Sequence, residues 1–180
     1  MKARSKIVIV PIGDLDFFQI NRLAGRLSET FSAAVDIVQG TEPPPEAYHP
    51  ARLQYFSTVI LGKLERMRAN DREKILGIID EDLYIPTRPF VYNEADPHSG
   101  CAILSCFRVK QEFYGLPEDE KIIFQRVKKE ALTLIGHLFL LQYCKNPRCV
   151  MYRAASMLDT DEKGDTFCDN CRRYLVRKPV

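Results

Sequence analysis

The sequence has no uninterrupted apolar run of about 18 residues, so it offers no helix that could cross a bilayer. It also lacks a strong charge. A net of +2 from 26 basic and 24 acidic residues is too small to argue for nucleic acid or an anionic membrane as partner. The opening MKARSKIVIVPIGD has an apolar run too short for a secretory signal and no small-residue cleavage site. Internal repeats and low-complexity segments are absent too. These absences lead to the expectation of a cytoplasmic protein whose cysteines stay reduced, where paired cysteines point to metal before disulfide. Histidine is scarce: there are three, and His49 and His98 fall in loop-like stretches, leaving His137 alone in a helical pattern. What is present is ordinary for a soluble domain. The 180 residues are 46% apolar and 28% charged, enough for one core.

The first half reads as alternating strands and helices. Residues 5–11 (SKIVIVP) form a β-branched run apolar on both faces, as in a central strand. A helix follows Asp14, with Phe17, Ile20, Ala24 and Leu27 on one side, and residues 31–38 return to a β-like pattern. Strand, helix, strand predicts parallel pairing through a right-handed crossover. After the proline-rich residues 40–50, a second helix is predicted with Leu53, Phe56, Ile60, Leu64 and Met67 on its buried side. Residues 74–84 (KILGIIDEDLY) predict a third strand. Residues 90–92 and 101–109 predict a hairpin joined by the polar loop NEADPHSG. Pro117 opens a long helix whose later part, residues 131–141, is apolar nearly all round except for Thr133, Gly136 and His137. The expected class is α/β, with a mainly parallel sheet and packed helices. Residues 1–139 form the α/β part and 140–180 a small cysteine-bearing part.

Four of the six cysteines carry the clearest chemistry. Cys144 and Cys149 are separated by four residues, Cys168 and Cys171 by two, with eighteen between the pairs. Each short loop can turn two sulfurs inward from one knuckle, which suits a tetrahedral Zn²⁺ site. Lys145, Arg148, Arg172 and Arg173 can offset the net negative charge of a tetrathiolate centre. Four thiolates close the coordination shell, so the expected cofactor is one structural zinc. Cys101 and Cys106 lie five apart on a predicted strand, point to opposite faces and read as small core residues.

The segment KEALTLIGHLFLLQYC, residues 129–144, resembles the active-site helix of the archaemetzincins, zinc metallopeptidases of the metzincin clan. Their signature is H-E-x-x-H-x-x-G-x-x-H-C, followed by C-x-M and a later C-x-x-C. Gly136, His137, Cys144, the Cys149-Val150-Met151 tripeptide and Cys168/Cys171 carry the match, and KILGIIDEDLYIP resembles the family body. The resemblance implies a metzincin-like fold. It also marks departures: Thr133 stands at the first histidine, Leu134 at the glutamate, Leu140 at the glycine and Tyr143 at the third histidine. A catalytic zinc needs about three protein ligands and a base to activate its water. His137 alone cannot supply them, so no catalytic residue is assigned. Without the glycine, the helix is expected to run on toward Leu141 or the turn to be reshaped. Leu134, Leu140 and Tyr143 are expected to fill the vacated pocket with apolar volume, over a Met151 that serves for packing.

The leading expectation is therefore an archaemetzincin-like zinc protein, inactive as a peptidase, that binds an extended peptide or protein segment at a sheet edge near residues 90–94. One alternative is an active peptidase with an unorthodox metal site around His137. Another is a zinc-ribbon nucleic-acid binder using Arg172, Arg173, Arg177 and Lys178.

Overall fold

Strand β1 (Lys6–Ile12) sets the frame, because its side chains alternate between two cores. Ile7 and Ile9 point into one apolar cluster, Val8, Val10 and Ile12 into another, and all are buried. A strand buried on both faces needs covering layers on each side, which parallel crossovers provide. A computed structural model of the chain describes residues 5–177.

Helix α1 (Phe17–Phe31) is capped by Asp16, whose carboxylate accepts the Phe18 N–H, and it leads to β2 (Ala34–Ile37). Strands β3 (Tyr48–His49) and β4 (Gln54–Phe56) precede α2 (Ser57–Arg66) and β5 (Glu73–Ile79). Next come β6 (Leu83–Ile85), β7 (Arg88–Val91), β8 (Asn93–Asp96) and β9 (Cys101–Ser105). The chain ends in the long α3 (Glu120–Leu138), then α4 (Met157–Glu162) and α5 (Asp169–Arg177). The main sheet has the order β2-β1-β5-β9-β8, parallel except for β8, which pairs antiparallel with β9 and ends the sheet. The smaller sheet runs β3-β4-β6-β7. The mixed, mainly parallel α/β architecture expected from the sequence is what the fold shows. Helices α1 and α3 contribute to one core and α2 to the other. Phe31 packs on both Phe139 and Phe167, each 5.5 Å between centroids, so the residues after α3 share the first core.

Several elements differ from expectation. Helix α2 starts at Ser57; Leu53 precedes it in a left-handed turn (φ 52°), and both Leu53 and Met67 are exposed. The predicted third strand breaks at Asp80, and its end becomes β6 of the smaller sheet. Residues 31–33 divide between the end of α1 and a turn. The long helix begins at Glu120, three residues after Pro117, because the Asp119 carboxylate caps it by accepting the Lys121 and Ile122 N–H groups.

The largest difference is the polar stretch NEADPHSG. Its first half is the edge strand β8, while Phe90 belongs to β7 of the other sheet. Tertiary partners override low strand propensity here. The Asn93 amide donates to Glu130, and Glu94 accepts from the Ser57 and Thr58 hydroxyls. The expected edge at residues 90–94 thereby divides between two edge strands, β7 of the smaller sheet and β8 (Asn93–Asp96) of the main sheet.

Candidate functional site

The site grows from the C-terminal turns of α3. Glu130, Thr133 and His137 recur at spacings of three and four and share one helix face. The helix stops at Leu138, and Leu140 takes a left-handed conformation with φ 66°. The Leu141 N–H donates to Gly136 O at 2.9 Å and the Leu140 N–H to His137 O at 2.8 Å. This is a Schellman closure with leucine where glycine is usual. The expectation that the helix would run on is therefore overturned. The backbone bends there and carries Tyr143 back over His137, rings edge to face with centroids 4.7 Å apart.

His137 Nδ1 lies 2.8 Å from Leu141 O, which makes Nδ1–H the donor and leaves Nε2 without a proton. Burial lowers the imidazole pKa and the charge of Lys163 acts in the same sense, while the Leu141 carbonyl opposes them; the ring is held neutral.

The space beside it is not filled with apolar volume. Leu134 is buried, but Leu140 and Tyr143 are 48% and 55% exposed. A buried polar cluster stands there instead. The Lys163 ammonium is 2.9 Å from Glu130 Oε1 and donates to Thr133 Oγ1 at 3.0 Å. Glu130 also accepts from Thr160 Oγ1 at 3.0 Å and Asn93 Nδ2 at 2.8 Å. The Thr133 hydroxyl lies 2.9 Å from both Lys129 O and Val150 O. A carboxylate this deep is tolerated because its partners replace water, and one of them is a cation. Nothing in the local sequence around Lys163 announces this role. The usable signal is Glu130, a carboxylate in the buried part of α3 on the face it shares with Thr133 and His137.

Met151 is fully buried under the helix. A Cβ on Gly136 would meet its Sδ at 2.6 Å, so glycine is what permits this approach. The expectation of packing for Met151 agrees with that contact.

Beyond the bend the chain enters the cysteine cluster. The Sγ atoms of Cys144, Cys149, Cys168 and Cys171 all lie within 4.8 Å of one another. Zn–S bonds of about 2.3 Å place tetrahedral sulfurs about 3.8 Å apart. Cys144 and Cys168 are separated by 3.8 Å, so the donor set fits zinc. Backbone N–H groups already point at the sulfurs, Asn146 at Cys144 (3.4 Å) and Cys168 at Cys149 (3.3 Å). The thiols are driven in opposite directions. The Cys171 backbone N–H is the main cause that brings Cys168 down to about 7, whereas burial raises Cys149 and Cys171. Crowded sulfurs cannot all ionise unless a cation joins them. Among the described residues this is the one group of three or more His, Cys, Asp or Glu side chains placed to hold a metal. Cys101 is buried in β9 and Cys106 follows that strand, both as free thiols. Of the basic residues considered for nucleic acid, Lys178 lies outside the described residues.

The two centres touch through adjacent residues. Gly164, next to Lys163, donates its N–H to Pro147 O in the first knuckle (3.1 Å). A Cβ there would stand 1.9 Å from Arg148 O, so only glycine fits.

Comparison with known proteins decides the lineage. The description "Peptidase family M54" matches residues 35–177. The chain belongs to peptidase family M54. It is 35% identical to an archaemetzincin of Pyrococcus furiosus, over 97% of this chain and 94% of the relative. With an archaemetzincin of Pyrococcus abyssi the figures are 36%, 95% and 94%. The crystal structure of a zinc-dependent peptidase from Methanocorpusculum labreanum superposes with a TM-score of 0.85 at 31% identity, covering 94% of this chain and 99% of that one. An archaemetzincin from Archaeoglobus fulgidus gives 0.79 at 32% identity, with coverage of 94% and 99%. The resemblance seen in the cysteine framework and around His137 is thus upheld along nearly the whole chain, and the fold is that of the M54 family.

Proposed function

We propose that this M54 protein carries one structural zinc in the Cys144/Cys149/Cys168/Cys171 cluster, has no catalytic zinc, and is inactive as a peptidase. Its cleft persists as a binding surface for an extended peptide or protein segment. One observation carries the proposal: the Lys163 ammonium, bonded to Thr133 and Glu130, sits on the helix face that would have to hold the metal. A divalent cation beside a buried ammonium is opposed by charge repulsion in a medium that screens poorly. Of the family's helix signature only His137 remains as a ligand. The Thr133 hydroxyl is engaged by its neighbours, Leu134 offers no base, and Tyr143 adds only a phenol. His137 keeps Nε2 free, but one imidazole is about two ligands short of a catalytic site. The cysteine zinc, when bound, supplies folding free energy and no open coordination position.

The cleft has two recesses that share Asn93, His137 and Tyr143, with volumes of about 440 and 370 Å³. Both run beside β8, and an edge strand can accept a further strand through its main chain. Elemental analysis should find one zinc per chain, and casein or peptide digestion should show no turnover. Two zincs per chain, with turnover abolished by His137→Ala, would refute the proposal.

A further inference from the structure

The charges around the cleft say more about its occupant. Antiparallel pairing of β8 with β9 fixes which main-chain groups are free. The Ser105 N–H donates to Tyr92 O at 2.9 Å, so Tyr92 is a hydrogen-bonded position opposite β9. Alternation then gives Glu94 and Asp96 the same role in the register Glu94↔Ile103 and Asp96↔Cys101. The N–H and C=O groups of Asn93 and Ala95 consequently face outward, and both residues line the cleft. An added strand would register on these two residues.

The larger recess contains the cations Arg88, Arg153 and Lys163 against a single carboxylate, Glu130. Lys163 and Glu130 neutralise one another. Arg88 and Arg153 are exposed, and neither makes an ion pair among the described residues. Arg153 instead lies 5.9 Å from the centroid of the Tyr143 ring. Two arginines without an ion-pair partner line a recess of about 440 Å³ next to a free strand edge, a setting that suits a carboxylate carried on an extended chain.

We infer that the cleft takes an acidic extended segment of a partner protein, which adds to the Asn93–Asp96 edge and places an Asp or Glu side chain between Arg88 and Arg153. This rests on the peptide-binding role proposed above and names the class of peptide. Neutral His137 adds no competing charge, and its free Nε2 can accept a donor from the same segment.

The test uses the full-length, zinc-loaded protein and an array of extended heptapeptides in a Val/Thr background, with the central position varied over all residues. Peptides with central Asp or Glu should be retained roughly tenfold better than their Asn or Gln counterparts. The difference should vanish in Arg88→Glu and Arg153→Glu proteins, whose melting temperatures should match the parent because both side chains are exposed. Equal retention of acidic and amide peptides would overturn the inference while leaving a peptide-binding cleft intact. So would an acidic preference that survives both charge reversals. Retention of no peptide at all would overturn the peptide-binding cleft and this inference together.

Discussion

Two centres lie within 45 residues of each other and meet the problem of buried charge in opposite ways. In the cysteine cluster, four donors of one sign converge, two of them pushed by burial toward the neutral thiol. Four thiolates crowded together repel one another, so the cluster calls for a bound cation. On the C-terminal face of α3 the cation is covalently attached. Lys163 bonds Glu130 and Thr133, and the carboxylate is satisfied without metal. The contrast shows two solutions to buried charge within one fold. The Schellman turn, the Tyr143 return and the Met151–Gly136 contact frame the second centre.

The sharpest way to break the comparison is at the cysteines. Cys168→Ser should bring the zinc content from one per chain to none and lower stability by several kcal/mol, on the order of 5 or more, because structural zinc binding is folding free energy. Hydrogen exchange should show residues 144–171 loosening first; unchanged zinc and melting temperature would exclude the four-cysteine assignment. Lys163→Met comes next. It leaves the Glu130 carboxylate buried without its cation and should cost about 3–5 kcal/mol in urea denaturation, with part regained in the Lys163→Met/Glu130→Gln double variant. A loss below about 1 kcal/mol, the range of exposed pairs, would show that the pair does not replace a metal. The smallest effect is expected at the bend. Leu140 is half exposed in a left-handed conformation, so Leu140→Gly should raise stability by up to about 1 kcal/mol, the relief of strain being offset in part by the entropy of glycine. A destabilised Leu140→Gly protein would mean that the leucine side chain contributes packing that outweighs the strain.

Much of this was legible in the sequence where chemistry is local. The cysteine cluster could be read because each pair closes its own knuckle, and the departures from the family signature at Thr133, Leu134 and Tyr143 could be read because the helix and its turn fix their spacing from His137. Lys163 could not, since it reaches Thr133 and Glu130 across 30 and 33 positions through the α4 turn, and no local pattern encodes that distance. Strand β8 was hidden for a related reason: its polar residues become strand-like only through Ser57, Thr58 and Glu130, which arrive from two helices. The helix does not run on at Leu140 because two closing hydrogen bonds and the His137–Leu141 contact, none of them visible in the sequence, hold a left-handed leucine against its intrinsic cost.

Gly164 gives the two centres a common fate. The residue that lies against the first cysteine knuckle is covalently next to the lysine that neutralises Glu130, and its N–H is hydrogen-bonded to Pro147 O, so a shift of either segment disturbs the other. The two equilibria are therefore coupled, and thermodynamic coupling is reciprocal. Whatever free energy the metal lends to the lysine–glutamate pair, the pair returns to metal affinity, and a zinc titration of the Lys163→Met protein reads that quantity directly. On the function proposed above, the salt bridge in the helix cleft would then help to set how tightly the cysteines hold their zinc.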